Sequence, residues 1–289
     1  MAVGVRRATM TAAVVAAPSE ARLETVPVPE PRLGEVLVRL EGCGVCASSL
    51  PTWEGRPWFA YPLEAGAPGH EAWGRSEDGT RVAVLTLRGF AEWAVVDVGA
   101  VVPLPPELDG LPFPGEAFAC AVMVFRRSRV RAGERVAIVG MGFLGSAMSQ
   151  LVDGVGAEVV PVRRDTRLDH LAESCDCVIE AAGVQATLDS ATRLVREGGR
   201  LVIAGYHQDG RREVDLGAWN WRGLDVVNAH ERDRVVVLDA MREAARLAAA
   251  GRLDVERLVT HRFPLSRLAD AFEAARTRPA GFVKAVVEP

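Results

Sequence analysis

The sequence predicts an α/β protein built from a β-rich unit and a doubly wound parallel-sheet unit, and three observations predict it. First, up to about residue 120 the chain consists of short apolar runs, "TAAVVAA", "GEVLVRLEG", "RVAVLTL" and "FAEWAVVD", separated by Gly and Pro, the pattern of strands joined by tight turns. Second, beyond that point strand-like and helix-like runs alternate. "RVAIVG" leads to "GFLGSAMSQLVDGVG" and "AEVVPV", and "CDCVIEAAG" leads to "VQATLDSATRLVREGG" and "RLVIAGY". Alternation of that kind builds a parallel sheet with helices on its faces. Third, a glycine triplet falls between a strand and a helix of this second half, where a doubly wound sheet carries its phosphate loop.

The elements follow in order. The start, "MAVGVRRATMTAAVVAAP", sets Arg6 and Arg7 before a short apolar run, a faint likeness to a signal peptide. Because the run continues as alternating sequence through "PSEARLETVPVPEP", it reads as a first strand, and the protein is expected in the cytoplasm. A long helical run begins near Val235, and "VTHRFPLSRLADAFEAARTRPAGFVKAVVEP" reads as strand, helix, strand. The chain has 289 residues, 49% hydrophobic and 25% charged, with a net charge of −4. Those values suit an ordinary globular protein and argue against nucleic acid as a partner, since phosphate binding needs a clustered positive field. No apolar run approaches the roughly 20 residues that span a bilayer. Five cysteines, an odd number, do not suggest a disulfide framework. Arginine greatly outnumbers lysine, Lys284 being the only one, which reads as genome composition rather than chemistry.

The phosphate loop is "VGMGFLG", with Gly140, Gly142 and Gly145 in the spacing G-x-G-x-x-G. Gly140 permits the tight turn, Gly142 lets backbone approach a pyrophosphate, and Gly145 permits close helix–strand packing. Phe143 and Leu144 complete the loop as the helix begins, and the helix N-terminus offers N–H groups to an anion. Roughly 20 residues on, NAD-binding versions carry an acid for the ribose 2′-hydroxyl. Here the strand ends "VVPVRRD", so Arg163 stands at that place, followed by Arg164. Guanidinium suits a 2′-phosphate, which favours NADP(H) over NAD(H). The alternative has both arginines solvated and Asp165 reaching back to the ribose.

The stretch "EGCGVCASSL" places Cys46 after a glycine turn, and "APGHEAWG" places Glu71 beside His70. Thiolate and imidazole are the pair zinc prefers, and a catalytic zinc takes three protein ligands and keeps a fourth position open. Cys46, His70 and Glu116 could supply three, with Glu71 as fourth ligand or support. Taken singly, Cys46 and His70 read equally well as a buried thiol and a satisfied core histidine.

The order of "CGVCASSL", "PGHEAWG", "GFAEWAVV", "GEAFACAV", "RAGERVAIVGMGFLG" and "GGRLVIAGY" resembles the zinc-dependent medium-chain dehydrogenase/reductase family, which includes alcohol and polyol dehydrogenases. The likeness spans nearly the whole chain. It implies a GroES-like catalytic domain over residues 1–121, completed by 232–289, around a Rossmann dinucleotide-binding domain over 122–231. It implies one catalytic zinc between them, held by Cys46, His70 and Glu116, with Glu71 as the neighbouring acid. Glutamate at the third position is similar to the polyol branch. It further implies Gly205 and Tyr206 near the nicotinamide, a small-molecule alcohol or carbonyl substrate, and a homo-oligomer, dimer or tetramer.

Three departures stand out. Ser49 occupies the usual place of an aspartate that supports the zinc histidine, Pro51 replaces a histidine of the proton relay, and the lobe for a second, structural zinc is missing. One zinc per chain is therefore expected, with Cys43, Cys120, Cys175 and Cys177 as packing residues. Ser48 is the candidate to carry the substrate proton, or else a residue capping a local turn. Trp53, Arg56, Trp58 and Tyr61 read as the substrate wall or as loop filling. Asn228 and His230 read as carboxamide or substrate contacts, or as a subunit boundary. Two other functions remain open: a zinc-free quinone or enoyl reductase, and a nucleotide-binding regulatory protein with a decayed site.

Overall fold

The computed structural model describes residues 8–208 and 210–289, so Arg6 and Arg7 lie outside the described residues. The strands run in chain order β1 Thr9–Ala17, β2 Glu20–Pro27, β3 Glu35–Val45, β4 Glu71–Ser76, β5 Arg81–Val84, β6 Trp93–Asp97 and β7 Val101–Pro103. They continue as β8 Arg135–Val139, β9 Glu158–Val162, β10 Cys175–Glu180, β11 Val195–Ile203, β12 Asp225–Asn228, β13 His261–Pro264 and β14 Ala285–Glu288. Contacts divide the chain into two compact units, Met1–Ala117 with Val255–Pro289, and Phe118–Asp254.

The first unit is the GroES-like one. Its seven-stranded sheet runs β13-β14-β3-β4-β5-β7, with β6 also paired to β3, and β1 and β2 form a separate hairpin. Strand β3 is the organiser. Its first half pairs with β6 and its last residues with β14, while β4 lies along its other edge. A run of eleven residues serves three partners, and its last four positions, Gly42 to Val45, are all buried where β4 and β14 flank it. Trp53, Phe90 and Phe272 fill the core between this sheet and the helix Leu268–Thr277. The expected strand, helix, strand of the last segment is thus present, and β14 closes the sheet against β3.

The second unit is the Rossmann one: five parallel strands in the order β12-β11-β10-β8-β9. The chain leaves β8 for β9 on one side and then crosses to β10 on the other. The strand order therefore reverses between β8 and β10, the place where open parallel sheets bind ligands beyond their carboxyl ends. The sequence-based boundary at residue 232 differs from the observed one at Val255. Helix Arg234–Ala249 falls in the second unit, where Arg126 reaches Asp239 at 2.8 Å and also pairs with Glu243. Its buried face carries Leu238, Met241 and Ala244. Among the described residues no helix is long and apolar enough to cross a membrane.

Candidate functional site

The candidate metal centre is assembled by strand ends of the first unit. Cys46 leaves β3 at a turn, and a short 3-10 turn, Ala47–Ser49, follows it. His70 immediately precedes β4, whose first residue is Glu71. Because β3 and β4 pair with Gly44 opposite Glu71, the two strand ends bring Cys46 and His70 to the same edge. The ligand atoms of Cys46, His70 and Glu71 all lie within 4.8 Å of one another. A tetrahedral zinc with bonds of 2.0–2.3 Å needs donors roughly 3.3–3.8 Å apart, so small side-chain movements suffice. Glu116, in the first turn of helix Gly115–Ser128, falls outside this cluster, although its charge reaches both His70 and Lys284.

Backbone supplies the support that Ser49 lacks. The His70 Nδ1 lies 3.0 Å from the Pro68 carbonyl oxygen. A carbonyl only accepts, so Nδ1 carries a proton, and Nε2 on the other side is the nitrogen left for a metal once its own proton is displaced. Ser49 itself is buried. The Ser48 hydroxyl donates to Cys46 Sγ at 3.1 Å and lies 3.5 Å from His70 Nε2. Ser48 is exposed, so its hydroxyl joins the donor cluster to water.

The electrostatics suit a cation. Burial acts to lower the His70 imidazole, but its hydrogen bond with Cys46 and the charges of Cys46, Glu71 and Glu116 outweigh it and push His70 up to about 10. A donor set that holds a proton so firmly is rich in negative charge, and a metal entering it must displace that proton. Glu71 is 1% exposed and meets the Lys284 ammonium, which is 4% exposed. Sequence reading missed both the Pro68 carbonyl and Lys284. The lone lysine was visible as a signal, and composition alone gave no reason to place it here.

The substrate-wall residues separate on inspection. Trp53 is 1% exposed, stacked on Phe272 and donating from Nε1 to Glu273 at 2.7 Å, so it belongs to the core rather than to a wall. Tyr61 donates its hydroxyl to the Thr52 carbonyl, and Arg56 pairs with Glu54. Trp58 is exposed and remains available.

In the second unit, Gly140 follows β8 with φ +102, and a Cβ there would come within 2.9 Å of the Ala182 side chain. A Cβ on Gly145 would lie 2.0 Å from the Gly140 carbonyl oxygen. Both glycines are thus required by close approach at the β8/β10 reversal. Gly142 is the N-cap of helix Phe143–Asp153 and gives it no side-chain cap, and Phe143 and Leu144 are its half-buried first residues. Arg163 and Arg164 are exposed just past β9, where the Arg163 N–H donates to Thr166 Oγ1 at 2.9 Å. Gly205 lies past β11, its N–H bonded to the Glu180 carbonyl, and Tyr206 beside it is exposed and stacks on His230 with centroids 5.9 Å apart. Asn228 Oδ1 accepts from the His230 N–H at 3.4 Å. Sequence reading also passed over Glu180, fully buried at the end of β10. It accepts from the N–H groups of Ala182 and Gly183 and from Thr187, and it contacts His207, so it knits the turns beside the glycine loop.

A family model described as "Zinc-binding dehydrogenase" matches residues 155–280. The L-galactonate-5-dehydrogenase of Escherichia coli (strain K12) is 24% identical over 347 aligned positions, covering 96% of this chain and 99% of that protein. Human sorbitol dehydrogenase is 26% identical, covering 90% of this chain and 91% of that one. A chain from Sinorhizobium meliloti 1021, whose structure holds NADP, superposes with a TM-score of 0.83 at 24% identity, covering 98% of this chain and 100% of that chain.

Proposed function

Because this chain belongs to the medium-chain dehydrogenase/reductase family, we propose that it interconverts a polar alcohol and its carbonyl counterpart with a nicotinamide cofactor and one catalytic zinc. The observation that carries the reading is the convergence of Cys46, His70 and Glu71 on one strand edge. Cys46, His70 and Glu116 would hold the ion, with Glu71 beside them as the neighbouring acid. Zinc, when bound, supplies a Lewis acid that stabilises negative charge on the substrate oxygen. The Pro68 carbonyl keeps the His70 lone pair pointed away from itself and toward the donor cluster. Ser48 takes the alcohol proton at its hydroxyl and releases it to water, and with Pro51 in place of a relay histidine this exposed route is the short one. Hydride transfer itself is the cofactor's chemistry, while the protein positions it.

The relatives act on L-galactonate and sorbitol by name, which supports a polyol or sugar acid as substrate. Gly140, Gly142 and Gly145 would take the pyrophosphate, Gly205 and Tyr206 would lie near the nicotinamide, and Arg163 and Arg164 would favour the 2′-phosphate of NADP(H).

The test is metal analysis of protein purified without chelator or added zinc, beside a Cys46→Ser variant. About one zinc per chain, lost in the variant, is the expected result. Absence of metal in both proteins overturns the zinc reading. For the cofactor, Arg163→Ala with Arg164→Ala should raise the KM for NADP about tenfold or more and leave that for NAD nearly unchanged, because each removes a charge-assisted bond to phosphate. Equal effects on both cofactors would refute the NADP preference.

A further inference from the structure

We propose that Lys284 is a positioning residue that holds Glu71 outside the metal's coordination shell, so that ammonium and metal compete for one buried carboxylate. The inference rests on the zinc reading above. Three neighbouring strands create the competition. Gly44 on β3 pairs with Glu71 of β4 on one side and with Val286 of β14 on the other, and Lys284 immediately precedes β14. The two side chains meet across Gly44. A Cβ there would stand 1.8 Å from Glu71 Oε2 and 3.0 Å from Lys284 Cε, so glycine lets the two side chains meet where they are and a larger residue would displace them.

The contact is close on both sides. The ammonium donates to Oε1 at 2.8 Å. Oε2 lies 2.6 Å from the same nitrogen. One point charge thus neutralises the buried carboxylate by sitting between its two oxygens. The same carboxylate belongs to the cluster whose ligand atoms lie within 4.8 Å of one another.

The residue type carries the argument further. Lys284 is the one lysine among 34 Lys and Arg residues. Arginine binds a carboxylate through a planar fork with two parallel N–H···O bonds, whereas lysine is a compact point charge on a flexible stem. A guanidinium would hold both oxygens of Glu71 and withdraw it from the cluster. Lysine keeps it charged, buried and releasable, which explains why this position departs from the rest of the chain.

The experiment loads full-length protein with zinc or with cobalt(II), follows zinc release to a chromophoric chelator, and records the cobalt d–d spectrum. In Lys284→Met, Glu71 is freed to enter the shell. Zinc release should slow about tenfold, the lower end of what partners beyond the ligand shell change, and the cobalt bands should shift. In the double variant Glu71→Gln with Lys284→Met, both release rate and spectrum should return to those of the wild type. In Lys284→Arg, release should be several-fold faster with an unshifted spectrum. An unshifted spectrum in Lys284→Met overturns the inference, because a purely electrostatic neighbour changes affinity without changing the ligand set. If Lys284→Met does not fold, an unchanged release rate in Lys284→Arg overturns it instead. Wild-type protein that binds neither metal overturns the zinc reading and this inference with it, whereas metal binding without these differences refutes the inference alone.

Discussion

Replacing Trp53 with alanine should unfold the first unit well below the wild-type temperature and disperse the cluster of Cys46, His70 and Glu71. Trp53 lies seven residues after Cys46 at the end of the helix Leu50–Trp53. Its ring is 1% exposed and stacks on Phe272 with centroids 4.8 Å apart and planes 8° from parallel. Phe272 in turn meets the edge of Phe90 at 5.8 Å. The indole Nε1–H donates to Glu273 at 2.7 Å, and the Trp53 carbonyl accepts from the Ser19 N–H at 2.7 Å. One side chain therefore ties the loop after Cys46 to the C-terminal helix Leu268–Thr277. Truncating a buried Trp to Ala costs about 3–5 kcal/mol through lost transfer energy and a residual cavity. For a unit of about 150 residues that is a fall of roughly 6–20 °C. Trp53→Phe retains the stack and loses the hydrogen bond, whose net value is about 1 kcal/mol. Melting followed by far-ultraviolet circular dichroism, with zinc content measured on the same samples, checks both variants. A Trp53→Ala transition within about 2 °C of wild type would refute the reasoning, since no cavity of this size is so cheap to leave.

Gly44→Ala should be destabilising by about 1–3 kcal/mol, the usual cost of overpacking, because its Cβ would sit 1.8 Å from Glu71 Oε2 and push that carboxylate aside; a wild-type melting temperature would contradict the close approach. Alkylation of native protein should modify Cys46 and Cys120 only, with zinc protecting Cys46. Cys43, Cys175 and Cys177 have no exposed surface, and burial pushes Cys177 up to about 12. Peptide mass mapping that finds Cys43 or Cys177 labelled as fast as Cys120 would count against this packing. Glu134 gives a pH signature. Burial acts to raise it, but hydrogen bonds from Arg200 and the Arg131 N–H hold it below the usual carboxylate range. Its folded pKa is thus lower than its unfolded one, so its stabilisation is present above the unfolded value and is lost as pH falls through the folded value. Glu134→Gln should cost about 1 kcal/mol at neutral pH and flatten the acid limb of the stability profile. Identical acid limbs in denaturant titrations would exclude that role.

Much of this was legible in the chain. The change of period near residue 120 separates the β-rich unit from the parallel sheet, because strands in the two settings bury different numbers of faces. The G-x-G-x-x-G triplet identifies its own turn, since the conformation of Gly140 and the contact of Gly145 are consequences of local backbone. The end of the second unit was less legible. Helix Arg234–Ala249 has an apolar stripe that would suit either unit, and only its pairing with Arg126 assigns it. Trp53 illustrates the same difficulty, as an aromatic in a loop reads alike for a ligand wall and a core.

The sequence by itself determined the residue types of the candidate centre, a thiol, an imidazole and acids, together with the glycine loop and the arginines after β9. Those are local properties, written in composition and short spacing. Only the tertiary structure decided that Cys46, His70 and Glu71 meet, that the Pro68 carbonyl lies 3.0 Å from His70 Nδ1, and that Lys284 comes to rest on Glu71, 213 positions away. Such contacts depend on strand register across β14, β3 and β4. Register is set by the summed burial of whole strands, which no single residue or motif records.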